Sequence, residues 1–145
     1  MLTLCSIIVL ICLKFLDCFS GNVNDMAGVV EDNSCACVVS SLVLCCSDQR
    51  KAIPEIHRVL KPGGRFFFIE HVVEKPGTWT RWFQHQFTST WESIRGNCCL
   101  IKCTDENLQK FEGFGNLNAR IVYRSLAPQY FFAHRSYIGY ADKKL

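Results

Sequence analysis

Residues Cys35 to Val73 read CACVVSSLVLCCSDQRKAIPEIHRVLKPGGRFFFIEHVV, a strand, a helix, a glycine turn and a second strand. The first run, Cys35 to Cys46, is almost wholly apolar and rich in β-branched residues. Such a run fits a strand buried on both faces of a parallel sheet. Ser47-Asp48 offers a helix start. From Ala52 to Leu60 the apolar residues Ile53, Ile56, Val59 and Leu60 share one helical face, with Glu55, His57 and Arg58 largely off it. Lys61-Pro62-Gly63-Gly64 stops the helix, since proline cannot continue it and glycine is free to take positive φ. Phe66-Phe67-Phe68-Ile69 follows as a second buried strand. Two parallel strands need a crossover of about a dozen residues or more, normally a right-handed helix, and this segment supplies one.

The chain around it has 145 residues, 49% of them hydrophobic and 20% charged. That suffices for one packed domain. The net charge of +3 is small, and no basic run with interleaved aromatics occurs, which sets nucleic-acid binding aside. Ten cysteines would signal a disulfide framework in a small secreted protein, and that class stays open as an alternative. Cys35, Cys37, Cys45 and Cys46, however, lie in or at the end of an expected buried strand, where a free thiol behaves as a small hydrophobe. Cys98, Cys99 and Cys103 lack CxxC-like spacing, so no metal site is expected from them.

Residues 1–20 are a different text, apolar from Leu4 to Leu13 apart from Ser6. The run is too short for a transmembrane helix of about 20 residues. Three readings stay open: a signal or membrane anchor with a cleavage point near Ser20-Gly21, a buried element, or non-native sequence. Gly21 to Asn33 reads as a polar lead-in. Beyond the second strand, Thr78 to Ile94 places Trp79, Trp82 or Phe83, Phe87 and Trp91 on one helical face. Core packing is the leading reading of that stripe. A lid over an apolar substrate, or a face lying on a membrane, is the alternative. Thr104 reads as an N-cap with Asp105-Glu106 in the first turn, and that helix runs to about Phe111. Ala119 to Leu126 and Ser136 to Ala141 read as two closing strands. With no helix between them they are expected to be antiparallel, joined by a connection starting at Ala127-Pro128.

Leu42 to Cys45, Arg58 to Val72 with RVLKPGG and EHV, the Trp-rich helix, and Gly139-Tyr140-Ala141 together resemble one family. It is the membrane-associated thiol S-methyltransferases, within the class I S-adenosylmethionine-dependent methyltransferases. The resemblance covers about Gly21 to Lys144, the C-terminal half of that domain. It implies an α/β fold, a partial Rossmann-like methyltransferase sheet with parallel strands, a crossover helix and a C-terminal antiparallel strand pair. It also implies S-adenosylmethionine as cofactor, lying across the carboxyl ends of the strands, and a small-molecule methyl acceptor such as a thiol. By that resemblance Asp25 and Met26 flank the adenine, and Ser40, Ser41 and Leu42 touch the cofactor at a strand end. Glu70 and His71 stand on the same rim as base or orienting group. The blander readings are a solvated loop acid for Asp25, strand-end packing for Ser40 and Ser41, and a structural hydrogen bond for His71.

Departures from the family are equally specific. A GxGxG turn and an acidic residue ending a second strand should precede Asp25, and neither is present. Pro54 falls inside the crossover helix, which should therefore start near Ile53 or kink. The first strand is left with an open edge, an aggregation hazard. The expectation is a truncated methyltransferase domain over 21–145 behind an apolar segment over 1–20, located at the endoplasmic reticulum membrane or in the cytoplasm, alternatively secreted. The competing expectation is a non-catalytic protein that binds a partner or membrane through the N-terminal segment or the Trp79–Trp91 helix.

Overall fold

The computed structural model describes residues 8–12, 15–19, 22–124 and 133–145. The cleavage point expected at Ser20-Gly21 and the connection expected at Ala127-Pro128 lie outside them. The element order is β1 (Ile8–Cys12), β2 (Phe15–Phe19), β3 (Cys35–Ser41), a 3-10 turn (Leu44–Cys46), α1 (Gln49–Val59), β4 (Leu60–His71), α2 (Trp79–Arg95), α3 (Thr104–Lys110), β5 (Phe114–Tyr123) and β6 (Arg135–Lys143). The strands form one mixed sheet in the order β2-β1-β3-β4-β6-β5. β3 and β4 are parallel, with Val38 opposite Phe66 and Ser41 opposite Ile69. β6 runs antiparallel between β4 and β5, so the closing pair is antiparallel as its short connection requires.

The expected open edge of β3 is covered. β1 pairs with it antiparallel, Val9 opposite Val39, and β2 folds back on β1. The apolar N-terminal run thus supplies the backbone partners that a mid-sheet strand needs.

The crossover helix follows the sequence closely. The Asp48 side chain caps it by accepting from Arg50 N at 3.1 Å, which satisfies one of the free donors of the first turn. Ala52, Ile53, Ile56 and Val59 are buried and meet Val38, Phe66, Phe68 and Leu108 in one core. Pro54 neither delays the helix to Ile53 nor ends it. It sits inside α1 on the exposed side, as does Arg50 one turn earlier, so the carbonyl that proline leaves unbonded can turn to water.

Three expectations are corrected. The first strand stops at Ser41 rather than Cys46, because Leu42 takes a left-handed φ of 57°. The sheet is not buried on both faces: along β4, Phe66 and Phe68 are 0% and 3% exposed while Phe67 is 40% exposed. Lys61 to Gly64 does not stand apart as a turn but forms the irregular start of β4, where pairing slips from Cys35 opposite Leu60 to Cys37 opposite Arg65. Gly63 there has φ 73°, a backbone region open to glycine and costly to a side chain.

Two helices also differ from expectation. Thr104 is the first residue of α3 and not its cap. Its buried hydroxyl accepts from Gln49 Nε2 at 2.6 Å, tying α3 to α1. α2 begins after Thr78, whose side chain accepts from Arg81 N, but its aromatic stripe is not core. Trp79 is 80%, Trp82 53% and Phe87 46% exposed.

Candidate active site

The carboxyl ends of β3 and β4 meet through one carboxylate. Glu70, the last residue but one of β4, is fully buried. It accepts from Ser40 Oγ at 2.5 Å, from Val43 N at 3.1 Å and from Leu44 N at 3.1 Å. Burial pushes its pKa up, and these three donors pull against that shift. The two amides belong to the start of the 3-10 turn, so Glu70 serves it as a cap supplied from another strand. The residue between strand and turn is Leu42, held left-handed while its N–H still reaches Ile69 O at 2.9 Å. A leucine at positive φ is uncommon and persists where neighbours over-determine it. Ser41 before it is exposed.

His71 lies one residue further and is 2% exposed. Its Nε2 donates to Cys99 O at 3.0 Å, and its Nδ1 faces Cys98 Sγ at 3.8 Å. Cys98 Sγ is 3.4 Å from Cys45 Sγ. The Cys45 thiol hydrogen-bonds Cys98 and so pulls the Cys98 pKa down and its own up, and His71 adds to the first effect. Burial works against a charged His71, but the Cys98 sulfur, the Cys99 carbonyl and Glu70 hold its pKa above the ordinary value. Cys35, Cys37, Cys45, Cys98, Cys99 and Cys103 are free thiols; of those expected in the buried strand, Cys35 and Cys45 are buried and Cys37 is half-buried. Cys46 departs from that reading, being disulfide-bonded.

The adenine-side pair divides. Asp25 is exposed and closes a local turn, its Oδ1 accepting from Ala27 N at 3.2 Å. Met26 is fully buried in the core, and its N–H donates to Glu55 Oε2 at 2.9 Å. The structure therefore brings Ser40, Glu70 and His71 together on one rim with Ser41 and Leu42 at its lip. Asp25 projects from a separate surface turn, and Met26 anchors that turn. Sequence reasoning did not connect Cys45 and Cys98 to His71. No spacing signals it, because the two cysteines are 53 positions apart.

Residues 10–68 match the methyltransferase domain family. Human thiol S-methyltransferase TMT1B is 44% identical over 79 residues, 54% of this chain and 32% of that protein. Human thiol S-methyltransferase TMT1A is 32% identical over 115 residues, 79% of this chain and 46% of that protein. The chain thus spans less than half the length of these relatives. Among solved structures, a geranyl diphosphate methyltransferase in complex with S-adenosylmethionine superposes with TM-score 0.60 at 15% identity, over 85% of this chain and 56% of that one. The Haemonchus contortus phosphoethanolamine N-methyltransferase 2 in complex with S-adenosylmethionine gives 0.57 at 18% identity, over 80% of this chain and 35% of that one. At such identities the likeness concerns the fold.

Some groups that could hold that cofactor are present, at two separate surface positions. Asp25 offers an exposed carboxylate and Ser41 an exposed hydroxyl, while Leu42 turns the backbone at the strand end. Beside β3 runs the antiparallel strand β1. The family match over residues 10–68, the thiol S-methyltransferase relatives and the fold of the solved structures all point to a likeness with part of a methyltransferase domain.

Proposed function

We propose that this chain carries the acceptor-side rim of an S-adenosylmethionine-dependent methyltransferase acting on a small thiol or a similar small nucleophile. The observation that carries the reading is the strand-end clamp, in which buried Glu70 holds Ser40 and the turn after left-handed Leu42. Open α/β sheets bind ligands at this edge. The thiol relatives favour a thiol acceptor.

Bound S-adenosylmethionine would supply an electrophilic methyl group for in-line displacement. The chain's own part is placement. Asp25 would accept a hydrogen bond from the adenine amino group, and Ser41 with the Leu42 backbone would line the transfer face. Glu70 orients Ser40 and the turn after Leu42, its oxygens accepting three hydrogen bonds. His71 is the titratable group next to it, and its burial keeps water from the rim.

A second reading is favoured by α2. Its exposed Trp79, Trp82 and Phe87 suit a membrane surface or a protein partner, which a non-catalytic product would use equally well. No helix among the described residues is long and apolar enough to cross a membrane.

The test is calorimetric titration of the purified chain with S-adenosylmethionine, with Asp25→Ala as control. Saturable binding weakened by the substitution supports the methyltransferase reading. No binding at millimolar ligand by a folded chain leaves the non-catalytic reading in its place.

A further inference from the structure

Three segments converge behind the rim: the 3-10 turn with Cys45, the end of β4 with His71, and the 96–103 loop with Cys98. Cys45 Sγ and Cys98 Sγ are 3.4 Å apart, from positions 53 apart in sequence. Backbone holds the two segments together, since Cys99 N donates to Cys45 O at 3.1 Å. Both thiols are free. The sulfurs of a disulfide stand about 2.05 Å apart, so a closure of about 1.4 Å would join them.

The two thiols are unlike. Cys45 is fully buried, whereas Cys98 is half-buried, so a small solute meets Cys98 first. Cys98 Sγ also faces His71 Nδ1 at 3.8 Å. The other ring nitrogen, Nε2, meets the Cys99 carbonyl at 3.0 Å, an acceptor that has no proton to give. Nδ1 is therefore the nitrogen left to exchange a proton with sulfur. The hydrogen bond from Cys45 first, and His71 with it, bring the Cys98 pKa down to about 4 against the effect of its burial, as electropositive surroundings do for reactive thiols. Cys37, Cys99 and Cys103 are set differently. Burial raises the pKa of all three, and Cys99 Sγ faces Thr88 Oγ1 at 3.8 Å.

We propose that Cys98 and Cys45 are a redox-active dithiol, with His71 as proton carrier, that is oxidised by the disulfide of a small thiol such as glutathione. The Cys98 thiolate attacks one sulfur of that disulfide, whose S–S bond breaks as a mixed disulfide forms on Cys98. The first small thiolate leaves and takes the Cys98 proton held on His71 Nδ1. Cys45 sulfur then attacks Cys98 sulfur, and the second small thiolate leaves with the Cys45 proton. The two cysteines give up two electrons and two protons, and one small disulfide becomes two thiols. Excess reduced thiol runs the exchange backward. Cys46 Sγ is 3.5 Å from Cys45 Sγ, but it is already disulfide-bonded and stands outside the pair. Oxidation would tie the 96–103 loop to the turn that Glu70 holds. None of these steps needs S-adenosylmethionine, so the dithiol and the methyl-transfer reading stand or fall separately.

The test exposes the full chain, purified without reductant, to oxidised glutathione, and maps its cysteines by peptide mass spectrometry after acid quenching. The expected result is a Cys45–Cys98 cross-link with Cys37, Cys99 and Cys103 still open to alkylation. In Cys45→Ser, glutathione should accumulate on Cys98 about tenfold or more above its level in the unsubstituted chain, because the resolving thiol is gone. Alkylation of the unsubstituted chain at pH 5 needs no variant: Cys98 should react about tenfold or more faster than Cys103. In a folded His71→Gln chain that lead should shrink. Absence of the cross-link, a cross-link from Cys98 to Cys46 in its place, or equal alkylation of Cys98 and Cys103 overturns the dithiol. An undiminished lead in His71→Gln overturns the part given to the imidazole.

Discussion

Ser40 Oγ and Glu70 Oε1 lie 2.5 Å apart across 30 positions of sequence. This bond joins the ends of the two parallel strands and fixes the direction in which the chain leaves β3. With Val43 N and Leu44 N on the same carboxylate, a buried acid holds three donors. Glu70→Ala would strip an acceptor from three buried groups, each costing about 1–3 kcal/mol when unsatisfied. The expected loss is about 3 kcal/mol or more in urea unfolding, well beyond that of Ser40→Ala, which removes one donor.

The same carboxylate sets a pH dependence. Its pKa in the fold is raised above the ordinary 4.5, so the folded chain holds this proton more tightly than the unfolded one. The associated stability is present below pH 4.5 and is lost as pH rises through the folded value. Glu70→Gln removes that titration. The stability difference between wild type and Glu70→Gln should therefore shift against the wild type as pH rises from 4 upward, read by chemical denaturation at several pH values.

His57 carries the opposite sign. Burial first, and Lys143 second, hold its pKa below 6.5, and its ring packs edge-on against Phe111 at 5.3 Å and Phe114 at 5.8 Å. The unfolded chain then binds the proton more readily, so stability is present above pH 6.5 and falls as pH drops toward the folded value. Replacing His57 with Gln should flatten the unfolding midpoint between pH 7 and 5.

Gly139 explains part of the GYA segment. It faces Ala119 across the β5–β6 ladder, and a Cβ at this position would overlap the Asn118 carbonyl and Ala119 itself. Backbone cannot move aside as a side-chain tip can. Gly139→Ala should cost about 1–3 kcal/mol, as other overpacked sites do, measurable as a lowered thermal midpoint.

The α2 face should separate stability from binding. With Trp79 80% and Trp82 53% exposed, a Trp79→Ser, Trp82→Ser double variant is expected to stay within about 0.5 kcal/mol of wild type per substitution, as surface changes usually do. Co-sedimentation with phosphatidylcholine–phosphatidylserine vesicles should fall if this face docks on lipid. Equal sedimentation of both proteins would remove the membrane from the second reading.

By itself the sequence determined the strand–helix–strand unit and the antiparallel closing strands. Those features rest on local periodicity, on Asp48 as a cap and on the apolar face of α1, each written within a few residues. Tertiary structure alone decided the rest. The edge of β3 was closed by a remote apolar hairpin whose role depends on which strand it finds. The aromatic stripe of α2 had the spacing of a core face, but spacing says only which residues share a side, and packing left Trp79 and Trp82 toward solvent. Glu70 could be placed on the rim from its motif, yet its occupation by Ser40, Val43 and Leu44 depends on the left-handed turn at Leu42. The meeting of Cys45, His71 and Cys98 required three segments to converge. Local interactions are legible in order along the chain, while long-range contacts are made only when the strands have chosen their neighbours.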